Sequence, residues 1–134
     1  MKVNQHDREA IYDLLARYAH SFDGGDVDTW VSLFTDDGQL ITPNVGNACG
    51  HRELREWAEL RMSLQAGYQM RHHISNILIA DIASQQASVS CYLTLTRQAL
   101  DMQSAVELMA AGVYHDKLVH TVDGWKFGQR IIQL

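Results

Sequence analysis

The chain has 134 residues, a formal net charge of −5 and 46% hydrophobic residues. A chain of this length can enclose a substantial hydrophobic core, and we expect a single domain over residues 1–134. The acidic balance, without a cluster of Lys and Arg, argues against nucleic acid and against an anionic membrane as partners. The polar N-terminus and the lack of a long apolar run predict a cytoplasmic protein without a membrane span.

The first part of the chain has the apolar spacing of helices. A first amphipathic helix is predicted from about Val3 to Phe22, and its apolar residues are Ile11, Leu14, Leu15, Tyr18, Ala19 and Phe22. Gly24-Gly25 breaks this pattern, and Asp26 is suited to cap a short second helix that reaches Phe34. We expect the residues Asp36-Asp37-Gly38 to end this second helix in a turn.

A short strand and a third helix are predicted next. The strand covers Gln39–Thr42 and is stopped by Pro43, the one proline in the chain. Asn44–Gly50 is predicted as a loop because it consists mainly of small residues. Helical spacing then returns from His51 to about Leu64, which predicts the third helix.

Four strands are predicted in the second half of the chain, covering Met70–Ala80, Gln86–Arg97, Ala105–His120 and Trp125–Leu134. Asp123-Gly124 predicts a hairpin turn before the last of them. In the second of these strands one face carries Ala87, Val89, Cys91, Leu93 and Leu95. Helices followed by antiparallel strands indicate an α+β fold, in which three helices cover one face of a curved sheet.

A candidate catalytic carboxylate lies at the predicted exit of the first helix. Asp23 is surrounded in sequence by aromatic residues, and a carboxylate in apolar surroundings needs a partner to remain charged. The best partners are His72 and His73 in the run RHHISN, and strand periodicity alone does not choose between them. An Asp–His pair suits proton abstraction from carbon, although Asp23 could simply end a helix.

Tyr18 precedes Asp23 by five residues, which on a regular helix separates the two side chains by about 140°. The two share a face only if the helix frays near Phe22, and Tyr18 could otherwise be a core residue. Cys49 and Cys91 are expected to be free thiols, with Cys91 in the core. The seven histidines show no metal-binding spacing, so no metal is expected.

Tyr18 and Asp23, the run RHHISN and the ending GVYHD with DGWKF together resemble the SnoaL-like branch of the nuclear transport factor 2-like superfamily. The resemblance covers nearly the whole chain. Within that branch the chain is most similar to scytalone dehydratase, bile acid 7α-dehydratase and lindane dehydrochlorinase. It implies a cone-shaped fold, with three helices on a strongly curved, mostly antiparallel sheet and a deep pocket between them.

The resemblance also implies roles for individual residues. His72 corresponds to the histidine of the dehydratase pattern, so it is the expected catalytic base and Asp23 the residue that orients it. Tyr18, if it shares a face with Asp23, could donate its hydroxyl hydrogen to a leaving oxygen or a developing enolate. Arg130 corresponds to an arginine that helps to hold a leaving anion, and the resembled enzymes use no cofactor. The chain departs from these enzymes in two ways: it has no second pocket histidine on the strand around Cys91, and it has Tyr18 where the dehydrochlorinase has lysine.

These observations favour a cofactor-independent lyase, of the dehydratase or dehydrohalogenase type, or an isomerase. A small-molecule-binding protein without catalysis and a polyketide-type cyclase remain alternatives. The expected substrate is a hydrophobic small molecule, bound by Phe22, Trp30, Leu54, Trp57, Tyr92 and Leu108.

A homodimer or homotrimer is expected, because the outer sheet face is predicted to be too apolar to be left in water. We expect that face to carry part of the set Leu93, Leu95, Val106, Leu108, Val113 and Val119.

Overall fold

The computed structural model describes residues 4–43, 45–81, 84–101 and 103–134. Val3, where the first helix was expected to begin, and Asn44, where a loop was expected to begin, lie outside the described residues. Within the described ranges the helices are α1 (Gln5–Asp23), α2 (Val27–Ser32) and α3 (Gly50–Leu64). The strands are β1 (Phe34–Ile41), β2 (Ala48–Cys49), β3 (Tyr68–Asp81), β4 (Gln86–Ala99), β5 (Glu107–Thr121) and β6 (Gly124–Gln133).

The described strands form one mixed, mostly antiparallel sheet in the order β2-β1-β6-β5-β4-β3. Strands β3 to β6 form an antiparallel meander, and β1 joins the far side of β6 in parallel. Helix α1 packs on β3 and β6, while α3 packs on β1 and β2. The sheet is curved and unclosed, and the predicted α+β fold class is confirmed.

Two local predictions near β1 were wrong. Asp36-Asp37-Gly38 lies inside β1 rather than in a turn that ends α2, and the register of β1 with β6 shifts between Phe34 and Gln39. A Cβ at Gly38 would lie 2.9 Å from the Phe34 Cβ and 3.0 Å from the Phe127 carbonyl oxygen, so glycine allows this close approach. The predicted loop that follows contains the short strand β2, which pairs with β1.

The alternation predicted for β4 is confirmed. Ala87, Val89, Cys91 and Leu93 are buried, and they belong to a core cluster that α1, α2 and α3 complete. Leu93 is therefore not in the part of the predicted set that lies on the outer face. Leu108, by contrast, is 69% exposed.

Irregular pairing changes which residues of β3 and β5 face the core. In β3 the register shifts between Ser75 and Leu78, where Asn76 has a φ of 54°. In β5 Met109 lies between residues that pair with neighbouring residues of β4, as in a β-bulge. Such bulges bend strands and reverse the alternation of side chains beyond them. Among the described residues, no helix is long and apolar enough to cross a membrane.

Candidate active site

The end of α1 holds Asp23 at a fixed corner. The amide of Gly24 donates to the His20 carbonyl oxygen at 2.9 Å, and Gly25 takes the left-handed φ of 72° that turns the chain. Asp26 then caps α2, because its side chain accepts a hydrogen bond of 3.1 Å from the Thr29 amide. Asp23 is therefore the last residue of a helix that ends sharply.

Asp23 contacts His72 on the neighbouring strand β3 through both carboxylate oxygens. Oδ1 lies 2.6 Å from the His72 Nδ1, and Oδ2 accepts a hydrogen bond of 2.9 Å from the His72 backbone amide. Gln69 donates from its side chain to the Asp23 carbonyl oxygen at 3.1 Å. These contacts fix the end of α1 against β3 and orient the imidazole.

The contact with Asp23 determines which nitrogen of His72 can act as a base. A carboxylate only accepts hydrogen bonds, so Nδ1 carries the hydrogen and donates it to Oδ1. The lone pair of the neutral ring is then on Nε2. Within the described part of the chain, no hydrogen-bond partner lies on Nε2. The His72 and Asp23 side chains remain 10% and 15% exposed, respectively.

His72 lies in the wall of a partly open cavity of about 230 Å³. The wall is mainly apolar, and it includes Phe22 from α1, Met70 from β3, Leu93 and Leu95 from β4, and Ile132 from β6. His72 also borders a hollow on the outer surface, where Asp23 and His20 lie beside it. The imidazole therefore separates the cavity from the surface, while Asp23 is on the outer side.

Tyr18 lines the same cavity as His72, and their ring centroids are 6.4 Å apart. Helix α1 remains regular through Asp23, so this proximity does not require the fraying that we considered. Tyr18 lies near the pair because His72, and not Asp23, is the member that reaches the cavity. Burial raises the pKa of Tyr18, although the nearby Arg130 opposes this shift. Tyr18 is therefore a neutral hydroxyl group at physiological pH.

Arg130 does not line the cavity. Its side chain is completely buried in an ion pair with Asp116, with Nε 2.8 Å from Oδ1 and Nη2 3.0 Å from Oδ2. The guanidinium carbon lies 3.5 Å from the Tyr114 ring centroid and 4.3 Å from that of Tyr18. Because both tyrosines line the cavity, Arg130 supports its wall from behind rather than contacting its contents.

The six predicted substrate-binding residues divide into three groups. Phe22 and Trp57 line the cavity. Trp30 and Leu54 are fully buried in the core, and Trp30 stacks on Trp57 at a centroid distance of 5.9 Å. Tyr92 and Leu108 are exposed and do not line it. Tyr92 is on the outer side of β4 because it follows the inward-facing Cys91, and the irregularity at Met109 leaves Leu108 outside.

Sequence reasoning missed several cavity residues, among them Tyr114, Met70 and Arg61. Tyr114 belongs to the motif GVYHD, and the alternation of β5 around it was a usable signal. Arg61 follows Trp57 by four residues and so lies on the same side of α3, which was also visible in the sequence. Gln69 gave no signal, because its role depends on the contact between α1 and β3.

His73 lies on the opposite side of β3 from His72, as alternation requires. It is exposed, and its Nε2 is 2.9 Å from the Thr96 hydroxyl oxygen. Cys91 is buried and Cys49 exposed, both as free thiols, and burial raises the pKa of Cys91 to about 11. In the described ranges, no three His, Cys, Asp or Glu side chains are grouped as metal ligands.

Comparison with known proteins places this chain in a family. The model of the SnoaL-like domain family matches residues 4–131. The chain therefore belongs to the SnoaL-like family, and its fold is that of the nuclear transport factor 2-like superfamily. No curated protein matches the chain.

Solved structures from Novosphingobium aromaticivorans share this fold. An NTF2-like protein with a cystatin-like fold is 19% identical, with a TM-score of 0.86 and coverage of 96% of this chain and 82% of that chain. A candidate aromatic ring hydroxylase is 23% identical, with a TM-score of 0.83 and coverage of 99% and 92%. A candidate scytalone dehydratase is 21% identical, with a TM-score of 0.82 and coverage of 97% and 85%. At these identities the similarity establishes the fold.

Proposed function

We propose that this protein is a cofactor-independent lyase or isomerase that removes a proton from a carbon atom of a hydrophobic small molecule. The observation that carries this proposal is the 2.6 Å contact between Asp23 and the Nδ1 of His72, with His72 in the wall of an apolar cavity. Membership of the SnoaL-like family supports a small-molecule enzyme in general terms. The candidate dehydratase of the same fold agrees with an elimination.

In the proposed reaction His72 is the general base and Asp23 is a positioning residue. The Nε2 lone pair accepts a proton from a carbon next to a carbonyl group, or from one beside a carbon that bears a leaving group. The imidazolium that forms is stabilised by the Asp23 carboxylate through the Nδ1–H group. A positioned base contributes about 10²–10⁴-fold, and orientation of the substrate in the cavity adds to it.

The placement of Asp23 itself supports a role beyond ending the helix. A carboxylate at the last residue of α1 is at the negative end of the helix dipole, where a cation would be more favourable. Its two oxygens are both used by His72 rather than by the helix. These contacts go beyond ending the helix, because they join α1 to β3 and orient the imidazole of His72.

Tyr18 is the proposed proton donor. Because burial raises its pKa, its hydroxyl group keeps its hydrogen and can donate to a leaving oxygen or to a developing enolate. Tyr18 and His72 line the same cavity, so a substrate can contact both. In the proposed elimination the C–H electron pair forms the new double bond while water or halide leaves.

The proposal is tested with a panel of ketones, β-hydroxy ketones and halocarbons. Loss of water or halide is measured directly, and proton abstraction without elimination is measured as deuterium uptake from D₂O by nuclear magnetic resonance. We expect activity on at least one class that His72→Ala abolishes and His73→Ala preserves. Compounds that bind in the cavity without exchange or elimination would instead identify a binding protein.

A further inference from the structure

The cavity wall contains one permanently charged side chain among its described residues. Arg61, on α3, lines the cavity one helical turn after Trp57, and neither Asp nor Glu lines it. The other arginines of this helix pair with carboxylates on its outer side. Arg52 lies 3.2 Å from Glu56, and Arg55 lies 2.8 Å from Asp28.

Arg61 is incompletely satisfied where it stands. Its Nη2 donates to the Val45 carbonyl oxygen, and its guanidinium carbon lies 5.3 Å from the Trp57 ring centroid. Its Nε is buried and has no hydrogen-bond partner among the described residues. Within the same part of the chain no carboxylate forms an ion pair with it.

Arg61 is partly exposed and keeps part of its hydration, but its buried Nε has lost water without gaining a hydrogen-bond partner among the described residues, and that loss is costly. An anionic group on a bound molecule would offset that cost and would supply the acceptor that the guanidinium lacks. The remaining wall is apolar apart from a few neutral groups and His72. The arrangement therefore suits a molecule with one anionic end and an apolar body.

We propose that the substrate is a hydrophobic carboxylate, whose carboxylate group binds Arg61 while its carbon skeleton extends to His72. This inference rests on the proposed function, because His72 acts on the same bound molecule. A carboxylate is the anion of choice here, since its planar shape matches two parallel N–H groups of a guanidinium. Arg61 is thus the residue that selects the substrate class, and His72 the one that acts on it.

The test compares ligands of nearly the same shape. Naphthoate and its neutral analogue naphthamide are titrated into the protein by calorimetry at a pH near 7, and naphthalenesulfonate serves as an anion of different geometry. We expect naphthoate to bind about 10-fold to 100-fold more tightly than naphthamide, as charge-assisted hydrogen bonds require. The sulfonate should bind more weakly than naphthoate.

Variants then assign the preference to one side chain. Arg61→Met should remove the preference for naphthoate over naphthamide, whereas Arg61→Lys should keep part of it. Arg52→Met, on the solvent side of the same helix, should leave it unchanged. Equal affinity of the wild type for the two ligands, absence of naphthoate binding, tighter binding of the sulfonate, or an unchanged preference in Arg61→Met would each overturn the proposal.

If Arg61→Met does not fold, the wild-type comparison can still refute the site, and Arg61→Lys, which should keep only part of the preference, assigns it to this side chain. His72→Ala distinguishes this inference from the proposed function, since it should keep the preference for naphthoate while losing all proton abstraction. A preference that disappears in Arg61→Met, together with normal turnover in His72→Ala, would refute the proposed reaction and leave the carboxylate site standing. A preference that persists in Arg61→Met, together with lost turnover in His72→Ala, would refute the carboxylate site and leave the proposed reaction standing.

Discussion

Two aspartates of this protein each pair with a basic side chain, and the two pairs lie in different surroundings. Asp23 and His72 are 15% and 10% exposed; His72 borders both the cavity and the surface hollow, while Asp23 borders the hollow but not the cavity. Asp116 and Arg130 are both completely buried behind the cavity wall. Imidazole can gain and lose a proton near neutral pH, whereas guanidinium cannot. The first pair can therefore transfer a proton, while the second can only hold its charges in place.

The buried pair also has shifted pKa values. Burial raises the pKa of Asp116, although the positive charge of Arg130 opposes the shift. Burial alone would lower the pKa of Arg130, but Asp116 and the two nearby tyrosines raise it above its ordinary value. The pair lies behind Tyr18 and Tyr114 and fixes both rings. The second pair therefore supports the cavity wall, whereas the first is the pair to which we assign the proposed proton transfer.

The largest expected effect is the loss of turnover in Asp23→Asn. The asparagine NH₂ group would donate to Nδ1, so the hydrogen of His72 would move to Nε2 and the base would be lost. We expect turnover to fall by about 10²–10⁴-fold while the protein remains folded. The measurement is steady-state kinetics on the active compound from the panel, with circular dichroism to check the fold.

Two variants sharpen this result. His73→Ala should leave turnover within a few-fold, because that side chain faces the other side of β3. The double variant Asp23→Asn/His72→Ala should be little worse than either single variant, since the two residues act as one unit. Full activity in Asp23→Asn would show that Asp23 serves only to end α1.

Breaking the buried pair of Asp116 and Arg130 should lower the stability of the protein. It should not remove a group that transfers a proton. Arg130→Met leaves the Asp116 carboxylate buried without its partner, and we expect the free energy of unfolding to fall by about 3–5 kcal/mol. Urea unfolding near pH 7 measures it. Arg52→Met, which breaks an exposed pair on α3, should change stability little.

Replacing both buried partners tests the same point. Arg130→Met/Asp116→Leu should recover much of the lost stability, because no charge then remains buried. A loss below about 1 kcal/mol in Arg130→Met would mean that water or rearrangement solvates Asp116. The contrast between the two pairs would then fail, because Asp116 would not be shielded from water.

The smallest effect concerns alkaline pH and Cys91. Burial raises the pKa of this thiol from 9.0 to about 11, so the unfolded chain ionises before the folded protein does. The contribution of the protonated Cys91 thiol to the free energy of unfolding is therefore full below pH 9 and is lost as the pH rises towards 11. A difference of about two pH units corresponds to about 2–3 kcal/mol.

Urea unfolding from pH 8 to 11 measures that contribution. The decline in stability should be less steep in Cys91→Ala than in the wild type, while Cys49→Ala, which removes an exposed thiol, should follow the wild type. Equal slopes in Cys91→Ala and the wild type would show that Cys91 ionises as readily in the folded protein as in the unfolded chain.

Periodicity predicted most of the fold because local spacing and tertiary burial agree there. The apolar residues of α1 point to the core, β4 alternates as expected, and the Asp123-Gly124 hairpin forms between β5 and β6. The prediction failed at Asp36-Asp37-Gly38 because Phe34 and Gln39, on either side of these residues, both pair with β6 and so keep them within β1. Propensity is local, whereas that pairing is set by the rest of the sheet.

The candidate site was predictable in part. Asp23 and His72 were proposed from their residue types and a family resemblance, and the structure brings them together. The setting of Arg130 was not predictable, since Asp116 becomes its partner only because the two are directly paired across β5 and β6. The exposure of Leu108 likewise depends on an irregularity in β5 that alternation cannot reveal.

The most direct test of the central claim is the position of the hydrogen on the His72 ring. Nitrogen-15 chemical shifts of the imidazole, recorded at a pH where the ring is neutral, distinguish the two tautomers without any substrate. We expect hydrogen on Nδ1 and a free lone pair on Nε2 in the wild type, with the preference reversed in Asp23→Asn. Hydrogen on Nε2 in the wild type, or a tautomer that Asp23→Asn does not change, would contradict it.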